Sequence, residues 1–510
     1  MEMLELEILL GLLLLVLALL SIHRFSRGGG RDGGLPLIGH TVEVLANYHR
    51  IFDLLLQKFQ SQGTSTVPLW IPGQSYVFTV DPANVEYILK TRFQNFPKGE
   101  RFREKFQPLL GGGIFNADGA AWKSQRKTAS FEFASRVLRE WSGSVFRDHA
   151  LELARIVRAA ASKQSSLEMQ DLFLRMTLDT ICNLGFGVHL GLLSSTLPHN
   201  DFAAAFDRCN AIVSFRFADP FWKLKRLLRI GEERDLPKNL ATVDEFTYNI
   251  IRKRRIQLSK ENEDLRARKK DLLSRFMLLD ESSSDAYLRD IVLNFVIAGR
   301  DTTAATLSYF IYMVASHPDC QGRLHSELLD FDHSSRQHEH HDDDPSFMES
   351  FAKLLTLEAL AKLPYLHAAV NETLRLYPSV PLNFKGVASD DVLPDGTRVR
   401  RGEIVSYVPY CMGRMESLWG PDAADFRPER WRAVDGSDWD FTSSPFKFTA
   451  FQAGPRVCLG KDSAYLQIKI TAALLCRFFE FRLVPNQNLH YRVMATISLA
   501  SGIEVVPLKR

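Results

Sequence analysis

One short stretch constrains this chain more than any other: Phe451-Gln-Ala-Gly-Pro-Arg-Val-Cys-Leu-Gly460, which sets a single cysteine among residues suited to holding a metal cofactor. A cysteine ligates a metal as its thiolate, and backbone N–H groups must approach it to temper the charge. Gly454 and Gly460 lack a Cβ and permit that approach. Arg456 offers a planar fork of donors to an anionic group of the cofactor, and Phe451 gives the loop an apolar wall. A lone cysteine is more often a small buried hydrophobe. The spaced identities of F-x-x-G-x-R-x-C-x-G weigh against that reading for Cys458.

With 510 residues, 45% of them hydrophobic, the chain can bury a large core. Lys and Arg number 63 against 60 Asp and Glu, a formal charge of +3 that excludes a nucleic-acid-binding surface dominated by charge. The six cysteines are scattered with no CxxC pair, which fits a reducing compartment. Residues Ile8 to Ile22 read ILLGLLLLVLALLSI, close to the roughly 20 residues that cross a bilayer. A cleaved signal peptide is the alternative, but Glu5 and Glu7 stand where its basic region belongs. His23, Arg24, Arg27 and Arg31 follow the apolar run and place the rest of the chain on the cytosolic side. The expected organisation is a transmembrane anchor at 1–22, a Gly-rich hinge at 23–39 and one globular unit at 40–510.

No internal repeat or second linker interrupts that unit. Ser75 to Val80 alternates as a strand, Pro82 to Lys90 reads as a short helix, and amphipathic helices dominate beyond about residue 120. Leu393 to Val408 returns to strand and turn around Pro394-Asp395-Gly396-Thr397. The fold class is mainly α with a minor β part. The segment Asp330 to Pro345 is polar, and its His338, His340, His341 and Asp342 to Asp344 read as a solvated loop rather than a metal site.

Other constellations carry chemistry. In Asn294-Phe-Val-Ile-Ala-Gly-Arg-Asp-Thr-Thr303, Ala298 and Thr302 share a helix face with Gly299 beside them, a notch able to admit dioxygen. Thr302 then bonds an oxygen ligand or water and Asp301 relays protons; equally, Thr302 bonds its own i−4 carbonyl in a core helix. Glu372 and Arg375 form an i, i+3 pair, of a kind common on surfaces. Trp122 and Arg126, four apart, place an aromatic ring and a cation on one face.

Taken in order, W-x-x-x-R, A-G-x-D-T-T, E-x-x-R, P-E-R-W (Pro428 to Trp431) and the cysteine loop resemble the cytochrome P-450 superfamily across residues 122–460. Longer stretches, Gly113 to Gly119, Met176 to Cys182, Asn294 to Thr303 and Phe451 to Asp462, resemble the plant microsomal fatty-acid ω-hydroxylases of the sporopollenin branch. The resemblance implies the cytochrome P-450 fold and a haem b ligated by Cys458. Trp122, Arg126 and Arg456 would then meet the propionates, with Phe451, Gly460 and Ala298 also at the cofactor. It implies oxygen activation by Asp301 and Thr302, and a buried structural triad of Glu372, Arg375 and Arg430.

Its implied reaction is terminal-methyl hydroxylation of a long-chain fatty acid with O2 and electrons from NADPH through cytochrome P-450 reductase, at the endoplasmic reticulum membrane. Phe115, Val296, Ala298, Val380, Leu382 and Ile497 are its expected substrate walls. Lys123, Lys127, Lys447 and Lys461 are a candidate docking face for an acidic reductase, against plain solvated charge. Arg101, Arg103 or Lys105 is a candidate holder of the substrate carboxylate, with a solvated charge run as the alternative. Where that branch has Asp-Pro before Lys-Gly, this chain has Asn383-Phe384 before Lys385-Gly386. In-chain hydroxylation of a fatty acid or another lipid or terpenoid is the second reading, and a haem protein without turnover is the third.

Overall fold

Strand chemistry and one tight turn start the architecture. Val67, Leu69 and Ile71 alternate inward on β1 (Thr66–Ile71), and Gly73, at φ +76°, turns the chain into β2 (Gln74–Thr79). β3 (Asn383–Gly386) and β4 (Ile404–Tyr407) complete a four-stranded sheet in the order β1-β2-β4-β3, with β4 parallel to β2. This computed structural model describes residues 34–510 except 36, 135, 195–196, 262–270, 280–281, 336–344, 434 and 437. The expected anchor, most of the hinge and the His-rich stretch from His338 to Asp344 lie outside the described residues. Among the described residues, no helix is long and apolar enough to cross a membrane.

The remainder is mainly helical, as the periodicity predicts. The helices that build the site are α1 (Glu100–Leu110), α2 (Gly119–Ala134), α3 (Arg136–Lys163), α4 (Met169–Phe186), α5 (Asp201–Phe215), α6 (Trp222–Leu228), α7 (Asp285–Val296), α8 (Thr302–Ser316), α9 (Pro364–Leu376) and α10 (Lys461–Phe478). Their ends follow local chemistry. Glu168 caps α4 by accepting from the Gln170 and Asp171 N–H groups, and Gly187, at φ +62°, ends it. Ser284 caps α7, and Pro364 opens α9, which stops one residue before Pro378 can intrude.

α7 and α8 form one long axis, interrupted at Ile297–Asp301 by a single wide turn of π type. The core lies in two clusters. One unites the sheet with α3, α8, α9 and α10, and the other joins α1, α4, α5 and α7. The wide turn stands where they meet, with Ile297 in one cluster and Ala304 in the other. Such turns break the regular side-chain spacing and are frequent at functional sites. The strand from Ser75, the helix after Pro82 and the turn at Pro394 to Thr397 all form where the residues predict, the turn closing with Leu393 N–H on the Thr397 carbonyl at 2.8 Å.

Candidate functional site

The cysteine loop is fixed at both ends. Gly454, at φ +65°, lies so close to the preceding segment that a Cβ there would stand 2.1 Å from the Leu89 carbonyl oxygen. Its glycine serves loop packing, not the approach of an N–H to sulphur that the sequence predicts. Gly460 does serve that approach, since its N–H hydrogen-bonds the Cys458 thiol at the mouth of α10. The Cys458 N–H in turn donates to the Phe451 carbonyl at 2.9 Å, while the Phe451 ring packs on Tyr465. Cys458 is exposed and the other five cysteines are buried, so it alone among them is open to a ligand. Packing around it raises the thiol above its ordinary value, against the pull of the Gly460 N–H, Arg126 and Lys461. By surface area the side chain remains exposed, so that rise belongs to the protein behind the sulphur rather than to its enclosure.

The acid–base triad is buried and fully bonded. Arg375 grips Glu372 with two donors at 2.9 and 2.7 Å, and Arg430 reaches Glu372 Oε1 at 3.1 Å. Trp431 Nε1 donates to the other oxygen at 3.1 Å. Arg375 also donates to the carbonyls of Gly413, Ala423 and Asp425, and Arg430 to those of Trp419 and Asp422. One carboxylate thus ties α9 to the chain that leads into the cysteine loop.

Cations converge beside that loop, more of them than the motifs reveal. Arg126 donates to the Val457 carbonyl at 2.8 Å, and the Arg456 guanidinium lies over the Trp122 ring at 4.5 Å. Arg456 also bonds Asp118 at 2.8 Å, but its Nε is buried without a partner. Two residues that the motifs miss join them. Lys98 is buried, and desolvation and then Arg456 push its ammonium down to about 7. Lys385, 1% exposed, has no partner for its Nζ and is held well below the usual lysine range by burial, Lys98 and Arg456. The period of a strand was the available signal, because it turns Asn383 and Lys385 to the same inward face of β3. Buried cations with orphaned donors demand anions. Haem b, with two propionates, fits this donor set, and Cys458 fits its iron.

Just after the wide turn, Thr302 donates to the Ala298 carbonyl at 2.6 Å, the i−4 helix bond that the residues alone allow equally with a role toward oxygen. Both residues nevertheless line the main cavity. Gly299 makes no notch for dioxygen, since a Cβ there would meet Ile181 Cδ1 of α4 at 2.8 Å. The glycine lets two helices close up. Asp301 is buried, bonded to Arg300 at 2.8 Å, and Arg300 also forks onto Asp207. Burial raises the Asp301 carboxyl to about 7; Arg300 opposes that rise and Asp207 adds to it. A small polar cavity lies against it, shared by Asp207, Arg492, Gln170 and Ser498.

The main cavity holds about 1310 Å³ of non-atom space, its open mouth included. Its lining includes Val44, Tyr48 and Phe52 as well as Ala298 and Thr302. Phe115, Ala298, Val380 and Leu382 line it as predicted. Val296 and Ile497 do not. Val296 is two residues from Ala298, hence on the opposite helix face and in the core, and Ile497 borders the small polar cavity instead. The sequence also missed Phe217 and Phe384, stacked at 4.3 Å on the wall. None of Arg101, Arg103 and Lys105 lines the cavity. Lys105 is buried and donates to the Arg216 carbonyl at 2.7 Å, while Arg101 bonds the Gly73 carbonyl. Cys458 is not in the lining either, but Gln452 of its loop is.

Of the four lysines, Lys123, Lys127 and Lys461 are exposed, and Lys447 lies half-buried over the Trp419 ring at 4.2 Å.

Comparison with known proteins gives the family. The family model described as Cytochrome P450 covers residues 30–501. The chain is 48% identical to cytochrome P450 704B1 of Arabidopsis thaliana, over 97% of this chain and 98% of that protein. It is 46% identical to cytochrome P450 704C1 of Pinus taeda, over 92% of each, and 40% identical to cytochrome P450 86B1 of Arabidopsis thaliana, over 86% and 78%. A family model spanning nearly the whole chain, and relatives almost half identical along it, place this protein in the cytochrome P450 family.

Proposed function

We propose that this protein hydroxylates long-chain fatty acids at the terminal methyl. As a cytochrome P450 it is a monooxygenase that uses haem b, dioxygen and electrons passed on by a reductase. The bound haem supplies dioxygen activation and oxygen insertion into a C–H bond. The chain's own residues decide where. The observation that carries the substrate class is the cavity lining, almost wholly aliphatic and aromatic from Val44 to Ala298, which suits an alkyl chain and offers one cation, Lys98. An alkyl chain held in this cavity lies against Ala298 and Thr302, which are part of its wall.

In this reading Cys458 ligates iron, with the Gly460 N–H and the start of α10 stabilising its thiolate. Lys98, Trp122, Arg126, Lys385 and Arg456 hold the propionates. Thr302 and Asp301 position and deliver protons, and Glu372, Arg375 and Arg430 keep the loop in place. NADPH-cytochrome P-450 reductase docks on Lys123, Lys127 and Lys461. An endoplasmic reticulum membrane carries the enzyme through the segment at 1–22, and α6 supports contact with lipid, because it exposes Leu224, Leu227 and Leu228 among basic residues.

A reduced, CO-difference spectrum followed by titration with fatty acids tests this reading. A thiolate-type band and a saturable spectral shift that tightens with chain length are expected. A spectrum without thiolate ligation, or indifference to every fatty acid, would reject it. The second reading, in-chain hydroxylation, rests on Asn383-Phe384, because Phe384 narrows the wall against Phe217.

A further inference from the structure

Away from both cavities, α3, α4 and the turn that follows α4 bring together His149, Asp179 and His189, none of which lines either cavity. One ligand atom from each lies within 4.8 Å of the others. His189 Nδ1 stands 3.3 Å from Asp179 Oδ1, and the imidazoles of His149 and His189 stack at 5.6 Å and 25°. His149 is 2% exposed and Asp179 fully buried, whereas 56% of the His189 side chain is open.

The carboxylate is aimed by the backbone. Asp179 Oδ1 accepts the Leu190 N–H at 2.7 Å and Oδ2 the Leu192 N–H at 3.0 Å, so each oxygen keeps a lone pair for another partner. Glu152 Oε2 lies 3.2 Å from His149 Nδ1. A ring that donates Nδ1–H to that carboxylate carries its lone pair on Nε2, the tautomer and carboxylate support typical of metal-binding histidine. An ion pair of His189 with Asp179 explains two of these residues. It leaves a second imidazole, nearly buried, stacked on the first beside the same anion.

We propose that His149, Asp179 and His189 bind a divalent transition cation of borderline softness, zinc(II) foremost, with Glu152 orienting His149. Two imidazoles and one carboxylate suit zinc, with a water as fourth ligand. Metal–ligand distances of about 2.0–2.2 Å require the ligand atoms to draw together, and the exposed His189 is the side chain able to swing in. The bound ion ties the turn at 187–192 to α3 and α4.

The test uses the haem-loaded full chain without an affinity tag, dialysed against chelator and titrated calorimetrically with zinc chloride. Saturation at one zinc per chain is expected, with a higher thermal midpoint. His189→Ala is expected to weaken binding by about 10- to 100-fold and Glu152→Gln by about 10-fold, with the CO-difference band unchanged in both. A variant with His338, His340 and His341 all changed to alanine is expected to bind as the parent does. No zinc binding, binding untouched by His189→Ala, or binding lost only in the triple-alanine variant overturns the proposal.

Discussion

Thr302, the first residue of α8, donates its hydroxyl proton at 2.6 Å to the carbonyl of Ala298 in the wide turn before it, and both line the main cavity. The Ser379 hydroxyl donates to the Thr302 carbonyl at 2.8 Å and locks the start of α8 to the segment after α9. With its proton committed to the helix, Thr302 meets the cavity as a hydrogen-bond acceptor. Thr302→Ala is therefore expected to keep haem content and the CO band but to lower product formed per NADPH by about 10-fold or more, with hydrogen peroxide rising in its place. Thr302→Ser is expected to retain most of the coupling. Unchanged coupling in the alanine variant, measured as product against NADPH and peroxide, would remove Thr302 from oxygen activation.

The proposed role of Asp301 in proton delivery implies a pH dependence. Its folded value, about 7, exceeds the roughly 4 of an unfolded aspartate, so the folded chain binds the extra proton between those values. The stability this contributes is complete below about 4 and is lost as pH rises to about 7. The proton-donating form declines over the same upper limb, and coupling is expected to fall as pH rises through about 7. Asp207→Asn removes a negative neighbour and releases Arg300 to Asp301, so it is expected to shift that fall to lower pH. A profile of coupled turnover from pH 6 to 9 checks the direction of the shift.

Lys385 sits fully buried with no partner for its ammonium. Lys385→Met removes that cost from the haem-free chain and, if Lys385 holds a propionate as proposed, removes a partner of that anion from the loaded one. A higher thermal midpoint is expected without haem and haem loss faster by about 10-fold with it, since a hydrogen bond to a charged group is worth about 1.5–3 kcal/mol. Haem transfer to an apoglobin, timed for parent and variant, measures the second effect.

Much of this site was legible because ligand chemistry and short helical periods are local. Cys458 with Gly460, the Trp122–Arg126 face and the Glu372–Arg375 pair each lie within a few residues of sequence; in the structure Arg126 bonds the Val457 carbonyl beside Cys458, Arg456 lies over Trp122, and Glu372 holds Arg375 and Arg430. Lys98 and Lys385 were not legible as site residues, because a lysine's burial is decided by distant strands and helices. The role of Gly299 failed for the same reason: the side chain that fills its space, Ile181, arrives from another helix. Val296 was a different kind of miss. The helical period already sets it opposite Ala298, whatever the tertiary structure.

Glu372→Ala leaves Arg375 and Arg430 buried without their shared carboxylate, at a cost of about 3–5 kcal/mol. It is expected to yield little haem-loaded protein and a thermal midpoint lower by many degrees. Arg375→Lys is expected to fare nearly as badly, since one ammonium cannot reach Glu372 and the carbonyls of Gly413, Ala423 and Asp425 together. Thermal unfolding followed at the haem band compares the variants.

Charge reversal at Lys123 and Lys127, both exposed on α2, is expected to slow reductase-supported turnover several-fold at low salt and to matter little at high salt. Turnover driven by peroxide, which needs no reductase, is expected to stay the same. Equal rates at low salt for parent and variant would place docking elsewhere.

The most direct test is the position of the hydroxyl group in the product. Purified enzyme, with reductase and NADPH, is given hexadecanoic and octadecanoic acids, and the products are resolved by mass spectrometry. The terminal alcohol is expected as the main product, because Ala298 and Thr302 line an apolar cavity that suits an alkyl chain. Hydroxylation only at internal carbons would contradict it.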